Sequence, residues 1–362
     1  MEKSGQVKAR KKNYQSPCGV ATVYRHVYQS SKGGQTFCPL ESNARIIRGA
    51  TPRLSRQVSS KYSQMSSGKV SEDLLDNHGR GLSSDYIQKL SLEVGELIEQ
   101  KEADWTYALP DNTTDTQVIS IGRDGTTMPI RSEGYREAMN GTISFYDGEQ
   151  NRLHTIYLAQ APQYGKLDFN TRFSQEIAKV KEQFGDATYI GLADGAKENW
   201  TFLEQYVDET ILDYWHVCEY LTKASKAYSR STYEKKEWLK NARKQLKEEK
   251  GAAKALLKEI KGFRKKRKVS KKAKEELEAA ITYFTNHLHQ MDYYAYSAKN
   301  YPIGSGVTEA ACKVIIKQRT NQSGMRWYID RSQKILNIRA LHRTKERWKQ
   351  FWDYVDISGI TA

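Results

Sequence analysis

Two stretches, Thr188-Tyr189-Ile190-Gly191-Leu192-Ala193-Asp194 and Val118-Ile119-Ser120-Ile121, decide the fold that we predict for this chain. Each is a short apolar run, which is the pattern of a strand buried within a sheet. Asp194 ends the first run before a glycine, and the second run ends at Arg123-Asp124-Gly125. We therefore expect two buried strands that each end in an aspartate.

The neighbouring segments predict a mixed sheet. Residues 142–146 and 154–158 form a predicted hairpin that turns at residues 147–149. A helix over about residues 170–184 separates them from the strand that ends at Asp194, and a helix around residues 200–206 and a last strand over residues 210–213 follow. Three strands, a helix, a strand, a helix and a strand are the order of an RNase H-like core, a mixed sheet with both faces covered.

A helical region is predicted before the sheet. Leu54, Val58 and Tyr62 are four residues apart, on one helix face. A short helix is expected from Ser71, and a third helix after Ser83-Ser84. This outline is that of a helix-turn-helix, and a small helical bundle that only packs is the alternative.

The whole chain is divided into five predicted segments of an α/β plus all-α protein. They are a basic, mostly irregular N-terminal segment with one or two short strands (1–50), a helical DNA-binding region (51–110), the first part of the core (111–215), a helical insertion hairpin (216–300) and the second part of the core with an acidic helix and a basic tail (301–362). The tip of the hairpin carries Lys265, Lys266 and Arg267, which either repel one another in a solvated turn or contact phosphate.

The bulk composition indicates a polyanionic partner. The 362 residues carry a formal charge of +15, and a surplus of this size points first to nucleic acid. No apolar run approaches the length of a membrane span, and the start of the chain lacks the apolar core of a signal peptide. The four cysteines have no C-x-x-C spacing, so neither a zinc site nor a disulfide framework is predicted. We expect a protein of the cytoplasm that does not enter a membrane.

Three carboxylates are candidates for phosphodiester chemistry. Two metal ions about 4 Å apart can activate the nucleophile and stabilise the leaving oxygen, and magnesium requires oxygen ligands. Asp124 and Asp194 end predicted strands, and Glu309 lies in the first turn of a helix behind a glycine-rich segment. Asp-Gly after a strand is also common turn chemistry, so either aspartate alone has a structural interpretation.

Several stretches resemble the ISKra family of bacterial insertion-sequence transposases, which is related to the wider Mutator-like DDE transposases. The most specific are Gly304-Ser305-Gly306-Val307-Thr308-Glu309 and Ser323-Gly324-Met325-Arg326-Trp327; the segments around Asp124, Asp194 and residues 212–217 also match. The resemblance runs from about Pro39 to Trp352. It implies an RNase H-like core with a DDE triad at Asp124, Asp194 and Glu309 that holds two Mg²⁺ or Mn²⁺ ions.

Further roles are implied by the same resemblance. Asp213 and His216 match a [Cys/Asp]-x-x-His signature that follows the second aspartate, and Asp213 is the main rival of Asp194 as metal ligand. His216 either positions a phosphate or is a structural hydrogen-bonding residue. The DNA contacts expected beyond the basic tip are Lys313, Lys317, Arg319, Arg326 and Trp327, although Trp327 is equally interpretable as a core aromatic.

The function expected is DNA transposition: metal-dependent cleavage at transposon ends and strand transfer into target DNA. The partners would be these two DNAs and further copies of the chain assembled on them, at the bacterial nucleoid. The alternatives are an RNase H-like nuclease that hydrolyses without joining, and an inactive DNA-binding regulator derived from a transposase.

Overall fold

A computed structural model describes residues 6–30, 33–34, 36–102, 105–266 and 269–359. The chain is a mixed α/β protein with a five-stranded mixed sheet, a separate two-stranded sheet and many helices. No helix in these ranges is both long enough and apolar enough to cross a bilayer.

The N-terminal segment is more regular than the sequence predicts. β1 (Gln6–Ser16) and β2 (Gly19–Gln29) pair antiparallel along their full length, and a short helix α1 (Pro39–Asn43) follows. Backbone hydrogen bonds from Gln15 N to Gly49 O and from Thr51 N to Gln15 O attach the hairpin to the next helix. The expectation of a mostly irregular segment was wrong because β1 is rich in lysine and shows no apolar alternation.

Three helices follow, as predicted: α2 (Pro52–Gln64), α3 (Ser67–His78) and α4 (Ser84–Glu102). α3 begins four residues before the predicted start at Ser71, because Ser66 caps it by accepting a hydrogen bond from the N–H of Lys69. It ends at Gly79, whose left-handed backbone suits glycine. Leu54, Val58 and Ile87 are buried where α2 and α4 pack together.

The central sheet has the order β5-β4-β3-β6-β7. Its strands are β3 (Val118–Ile130), β4 (Gly134–Tyr146), β5 (Arg152–Gln160), β6 (Thr188–Ala193) and β7 (Glu209–Leu212). β3, β4 and β5 are antiparallel, whereas β6 is parallel to both β3 and β7. The helices α5 (Leu167–Gln183) and α6 (Lys197–Leu203) connect the later strands. The predicted mixed sheet and its element order are confirmed.

In its described residues, the insertion has four longer α-helices and a short one in place of the predicted single hairpin. They are α7 (Tyr214–Tyr228), α8 (Thr232–Glu248), α9 (Ala252–Gly262), α10 (Lys271–His287) and α11 (Tyr293–Ala298). The predicted long helix is interrupted at Gly251, which has a left-handed φ of 72°, and at the serine-rich turn before α8. The predicted basic tip falls between α9 and α10, and its Arg267 lies outside the described residues.

The last part of the chain is helical. α12 (Gly306–Ala311) continues through a π-helical stretch (Cys312–Lys317) into α13 (Gln318–Thr320). α14 (Ile329–Arg343) and α15 (Lys345–Ser358) complete the fold, with α14 packed on both α4 and β5. The π-helical stretch begins three residues after Glu309. Such turns are rare in proteins overall, and those that occur are often located at functional sites.

The sheet is covered on both faces. Gly122 pairs with Thr142, and both face α12, where Thr142 Oγ1 lies 2.7 Å from Thr308 Oγ1. Gly141, one residue along β4, faces the other way, and a carbon added to it would lie 2.8 Å from the ring of Phe173 on α5. The two glycines therefore allow helices to approach the sheet closely from opposite sides.

We predict that Gly122→Ala destabilises the folded protein by about 1–3 kcal/mol, because overpacking a tight contact forces neighbouring atoms apart. The added methyl would overlap Thr308 Oγ1 and lie 2.8 Å from Thr142 Oγ1. Urea unfolding followed by circular dichroism measures the change. Gly185→Ala is the matched control, since its nearest neighbour is 3.9 Å away. Equal stability of the two variants would contradict close packing of α12 on β3.

Candidate active site

Asp124 and Asp194 lie side by side at one edge of the parallel part of the sheet. Gly122 and Leu192 form the last pair between β3 and β6. Asp124 comes two residues after Gly122, and Asp194 comes two residues after Leu192. Asp124 does not end its strand as predicted, because β3 continues to Ile130 in its pairing with β4. The end of β6 therefore opens space beside Asp124, and this is where Asp194 lies.

Glu309 reaches the same place from α12. Thr308 packs over Gly122, and Cys312, three residues after Glu309, donates its thiol to Asp124 Oδ2 at 3.4 Å. Asp124, Asp194 and Glu309 line one cleft with a volume of about 640 Å³. The three predicted carboxylates thus share a single cavity although they come from distant parts of the sequence.

Burial raises the pKa of Asp124 above its ordinary value. The negative charges of Asp194 and Glu309 raise it further, while hydrogen bonds from the Gly125 N–H, at 2.7 Å, and from Cys312 lower it. The pKa of the Cys312 thiol is also raised by burial and by Asp124, so this thiol stays a hydrogen-bond donor. Because the aspartate is disfavoured in its charged form, a cation between the carboxylates would relieve a cost that the folded chain carries.

The Asp194 loop is held by the helical insertion. Asp194 Oδ1 accepts a hydrogen bond from Ala196 N at 3.1 Å, and Gly195 adopts a left-handed φ of 99°. Tyr283, on α10, donates its hydroxyl to the carbonyl oxygen of Asp194 at 2.7 Å. Its ring stacks on Tyr220 of α7 with 3.7 Å between ring centroids. The insertion therefore positions one of the candidate ligands.

Asp213 has no exposed surface, and its carboxylate is occupied by hydrogen-bond donors. Oδ1 accepts from His216 N at 2.8 Å and caps α7, while Oδ2 accepts from Ser305 Oγ at 2.6 Å and from the Ser305 N–H. Asp213 thus joins α7 to the segment before α12. These hydrogen bonds give Asp213 a structural role at the junction of the two elements.

His216 lies between this cap and the cleft. Its Nε2 is 3.3 Å from Glu309 Oε1, and Ser305 Oγ is 3.0 Å from the same oxygen. Asp213, His216 and Glu309 each offer a ligand atom within 4.8 Å of the others, a spacing that no other His, Cys, Asp or Glu group meets in the described part of the chain. At least one pair of ligand atoms among Asp124, Asp194 and Glu309 is therefore more than 4.8 Å apart. The compact group shares Glu309 with the cleft, and both oxygens of its Asp213 accept hydrogen bonds within the protein.

Two of the expected DNA contacts lie in the interior, so that expectation was wrong. Arg319 is 1% exposed and lies between the rings of Tyr62 and Trp327, 5.0 and 4.8 Å from their centroids. It also donates to Tyr62 O at 3.1 Å. Trp327 is 9% exposed and donates to Thr320 O. These residues join the end of the acidic helix to α2, and neither reaches the surface.

The other predicted cations are exposed. Lys313 and Lys317 lie on the π-helical stretch and line the cleft with the carboxylates. Arg326 is exposed on the turn before α14, and Lys265 is exposed in the short 3-10 helix after α9. Lys266 is exposed as well, but it lies 4.0 Å from the ring centroid of Tyr228 and donates to the Tyr228 carbonyl.

Three residues in or beside the cleft were not predicted from the sequence. Cys312 had a usable signal, since its spacing of three from Glu309 places both on one helix face. Tyr283 had none, because its contact with Asp194 is made across 89 residues. Arg123 is buried behind the site, where it donates to Asn199 at 2.6 Å and pairs with Glu198 at 3.1 Å. An arginine beside a strand aspartate gives no sign of that orientation.

Neither the family models nor the curated proteins compared with this chain give a match.

We predict opposite stability effects for substitution of the half-buried Asp124 and of the fully buried Asp213 when divalent ions are removed with EDTA. Asp124→Asn should raise the free energy of unfolding at pH 7, because it removes a carboxylate whose pKa burial has raised. Asp213→Asn should lower it by about 1.5–3 kcal/mol, because it disrupts charge-assisted hydrogen bonds. Urea unfolding of both variants measures the difference.

The pH dependence has a definite sign. The pKa of Asp124 is higher in the folded than in the unfolded chain, so the folded state gains stability as pH falls between these two values. The gain in free energy of unfolding from Asp124→Asn is therefore largest above the pKa that Asp124 has in the folded chain. It vanishes as the pH falls to the ordinary aspartate pKa. Asp356→Asn, at an exposed position of α15, is the control without an expected change. A less stable Asp124→Asn protein at pH 7 would show that this carboxylate is structural.

Proposed function

We propose that this chain is a DNA transposase of the DDE class, in which Asp124, Asp194 and Glu309 hold two divalent cations. The observation that carries the proposal is the convergence of these carboxylates in one cleft, from two adjacent strands and a helix. Clustered carboxylates are costly without a cation, and the raised pKa of Asp124 reflects that cost. All three groups are oxygen donors, which fits Mg²⁺ or Mn²⁺.

The fold supports the same proposal. Three antiparallel strands followed by parallel strands on one side, with helices on both faces, is the arrangement of an RNase H-like core. The helices α7 to α11 lie between the last strand and the acidic helix, the place that the ISKra resemblance implies for a helical insertion. The helices α2 to α4 before the sheet are available for recognition of transposon ends.

The charge distribution favours DNA as the substrate. The chain carries +15, and Lys313 and Lys317 stand beside the acidic cleft. Exposed lysines attract phosphate groups without reading sequence. A DNA backbone held by these lysines would place a phosphodiester next to Asp124 and Asp194.

Each group of the site has a distinct task in this proposal. Bound Mg²⁺ or Mn²⁺ would activate the attacking oxygen and stabilise the leaving oxygen of the phosphodiester. Tyr283 fixes the Asp194 loop, Cys312 orients Asp124, and His216 orients Glu309. Hydrolysis at the transposon end frees a 3′ hydroxyl. In strand transfer that hydroxyl forms the new phosphorus–oxygen bond, and the bond to the target strand's own 3′ oxygen breaks.

Joining requires two transposon ends and a target to be held together. The proposed partners are therefore these DNAs and at least one further copy of the chain assembled on them, at the bacterial nucleoid. This assembly follows from the reaction, in which two ends must meet one target.

The test is strand transfer by the full chain with Mg²⁺, using a plasmid that carries the genomic DNA flanking the coding sequence and a second plasmid as target. Asp124→Asn, Asp194→Asn and Glu309→Gln should each lower the amount of joined product by more than about a hundredfold. Losing a residue that only supports a metal ligand costs up to about a hundredfold, so loss of a ligand itself should cost more. Gel analysis of nicked and joined products measures both steps.

Asp356→Asn removes an exposed carboxylate of α15 that does not line the cleft, so the amounts of nicked and joined product should not change. Nicking without joining by the unaltered chain would favour the hydrolytic nuclease. The absence of both nicked and joined product from a preparation that binds DNA would favour the inactive regulator. Full activity of the three cleft variants would end the assignment of the site.

A further inference from the structure

The N-terminal hairpin is the most one-sidedly charged element of the fold. Its residues 6–29 include five lysines and arginines and no aspartate or glutamate. A two-stranded ribbon has no interior in which to bury such charges. Cations in excess on a regular element favour an anionic partner outside the chain.

One face of the hairpin is anchored to the body of the protein. Tyr14 and Val27 are 3% and 8% exposed on this face. Lys12 Nζ and Arg25 Nε lie 2.7 and 3.3 Å from the same oxygen of Glu41 on α1. A single carboxylate therefore serves two cations.

Arg10 and Lys11 add further positive charge to the hairpin. Arg10 is directly opposite Arg25 in the strand register, and like charges in such a pair are destabilising. Arg10 and Lys11 are exposed, and no carboxylate in the described residues pairs with either of them. The hairpin thus keeps an unfavourable arrangement that a bound polyanion would stabilise.

The opposite face presents apolar and aromatic surface to solvent. Tyr24 is 74% exposed and Val20 is 52% exposed. Tyr24 is opposite Lys11 in the register, so an aromatic ring and a cation occupy one level of the ribbon. This combination suits a surface that contacts sugars, bases and phosphates together.

We infer that the hairpin β1–β2 is a DNA-binding ribbon that enters the major groove of a duplex. Eleven residues per strand span roughly 36 Å at about 3.3 Å per residue, close to one turn of B-DNA. The major groove is about 12 Å wide and admits a two-stranded ribbon. Lys11 and Tyr24, which share the free face, contact the groove and its phosphates, and the exposed Arg10, on the anchored face beside Arg25, contacts a phosphate at the rim of the groove. The inference rests on the proposed function only in taking DNA as the partner.

The test is binding of the full chain to a labelled 20-base-pair duplex by fluorescence anisotropy, in EDTA, over a series of salt concentrations. Arg10→Gln with Lys11→Gln should lower affinity at least tenfold and reduce the slope of log K against log salt by about two, one per lost phosphate contact. Tyr24→Ala should weaken binding severalfold at an unchanged slope, because it removes no charge. The altered side chains are exposed, so the fold should persist, and circular dichroism checks this.

The matched control is Lys258→Gln with Lys345→Gln, which removes two exposed positive charges from α9 and α15. An equal loss of affinity and slope in the control would overturn the inference, since net charge alone would explain it. A duplex RNA of the same length should bind more weakly, because its major groove is too narrow for a ribbon. Equal binding of RNA would exclude the major groove as the site.

The two proposals fail in different ways. If the Arg10 and Lys11 variant loses DNA binding and the unaltered chain cleaves no DNA, the DNA-binding role of the hairpin is supported and the transposase proposal is refuted. If the unaltered chain cleaves DNA and the variant binds the duplex as well as the unaltered chain does, only the DNA-binding role of the hairpin is refuted.

Discussion

Close packing of α12 on β3 is the constraint on which the rest of the site depends. Because Gly122 has no side chain, α12 approaches this face of the sheet closely. Thr308 Oγ1 then lies 2.7 Å from Thr142 Oγ1 on the neighbouring strand. Glu309 is the next residue, so its position beside the aspartates follows from that contact. A larger residue in β3 would lift the helix from the strand and remove the third carboxylate from the cleft.

The cleft combines groups that oppose one another electrostatically. The burial that shapes it disfavours the charge on Asp124, and the nearby Asp194 and Glu309 add repulsion. Lys313 and Lys317 lie along its rim without entering ion pairs with these carboxylates in the described residues. The arrangement is electrostatically unfavourable in the folded chain, and a cation bound among the carboxylates would reduce that cost.

The helical insertion is part of the site, although it is remote from it in sequence. Tyr283 of α10 bonds to the Asp194 carbonyl, and Tyr293 at the start of α11 bonds to Leu212 O at 2.9 Å. Asp213 adds the opposite connection, from the end of the sheet to the segment that precedes α12. These hydrogen bonds attach the insertion to the ends of β6 and β7.

Local pattern determined the elements with regular apolar spacing, such as α2, α4 and the buried runs that end at Asp124 and Asp194, and it identified the three carboxylates. It did not determine the hairpin β1–β2, whose lysine-rich strand is stabilised by its partner and not by apolar alternation. Only the tertiary structure decided that Arg319 and Trp327 are interior and that Tyr283 supports the site. The physical reason is that burial and hydrogen bonding between distant segments depend on where the chain brings them together, whereas helix and strand periodicity is already present in neighbouring residues.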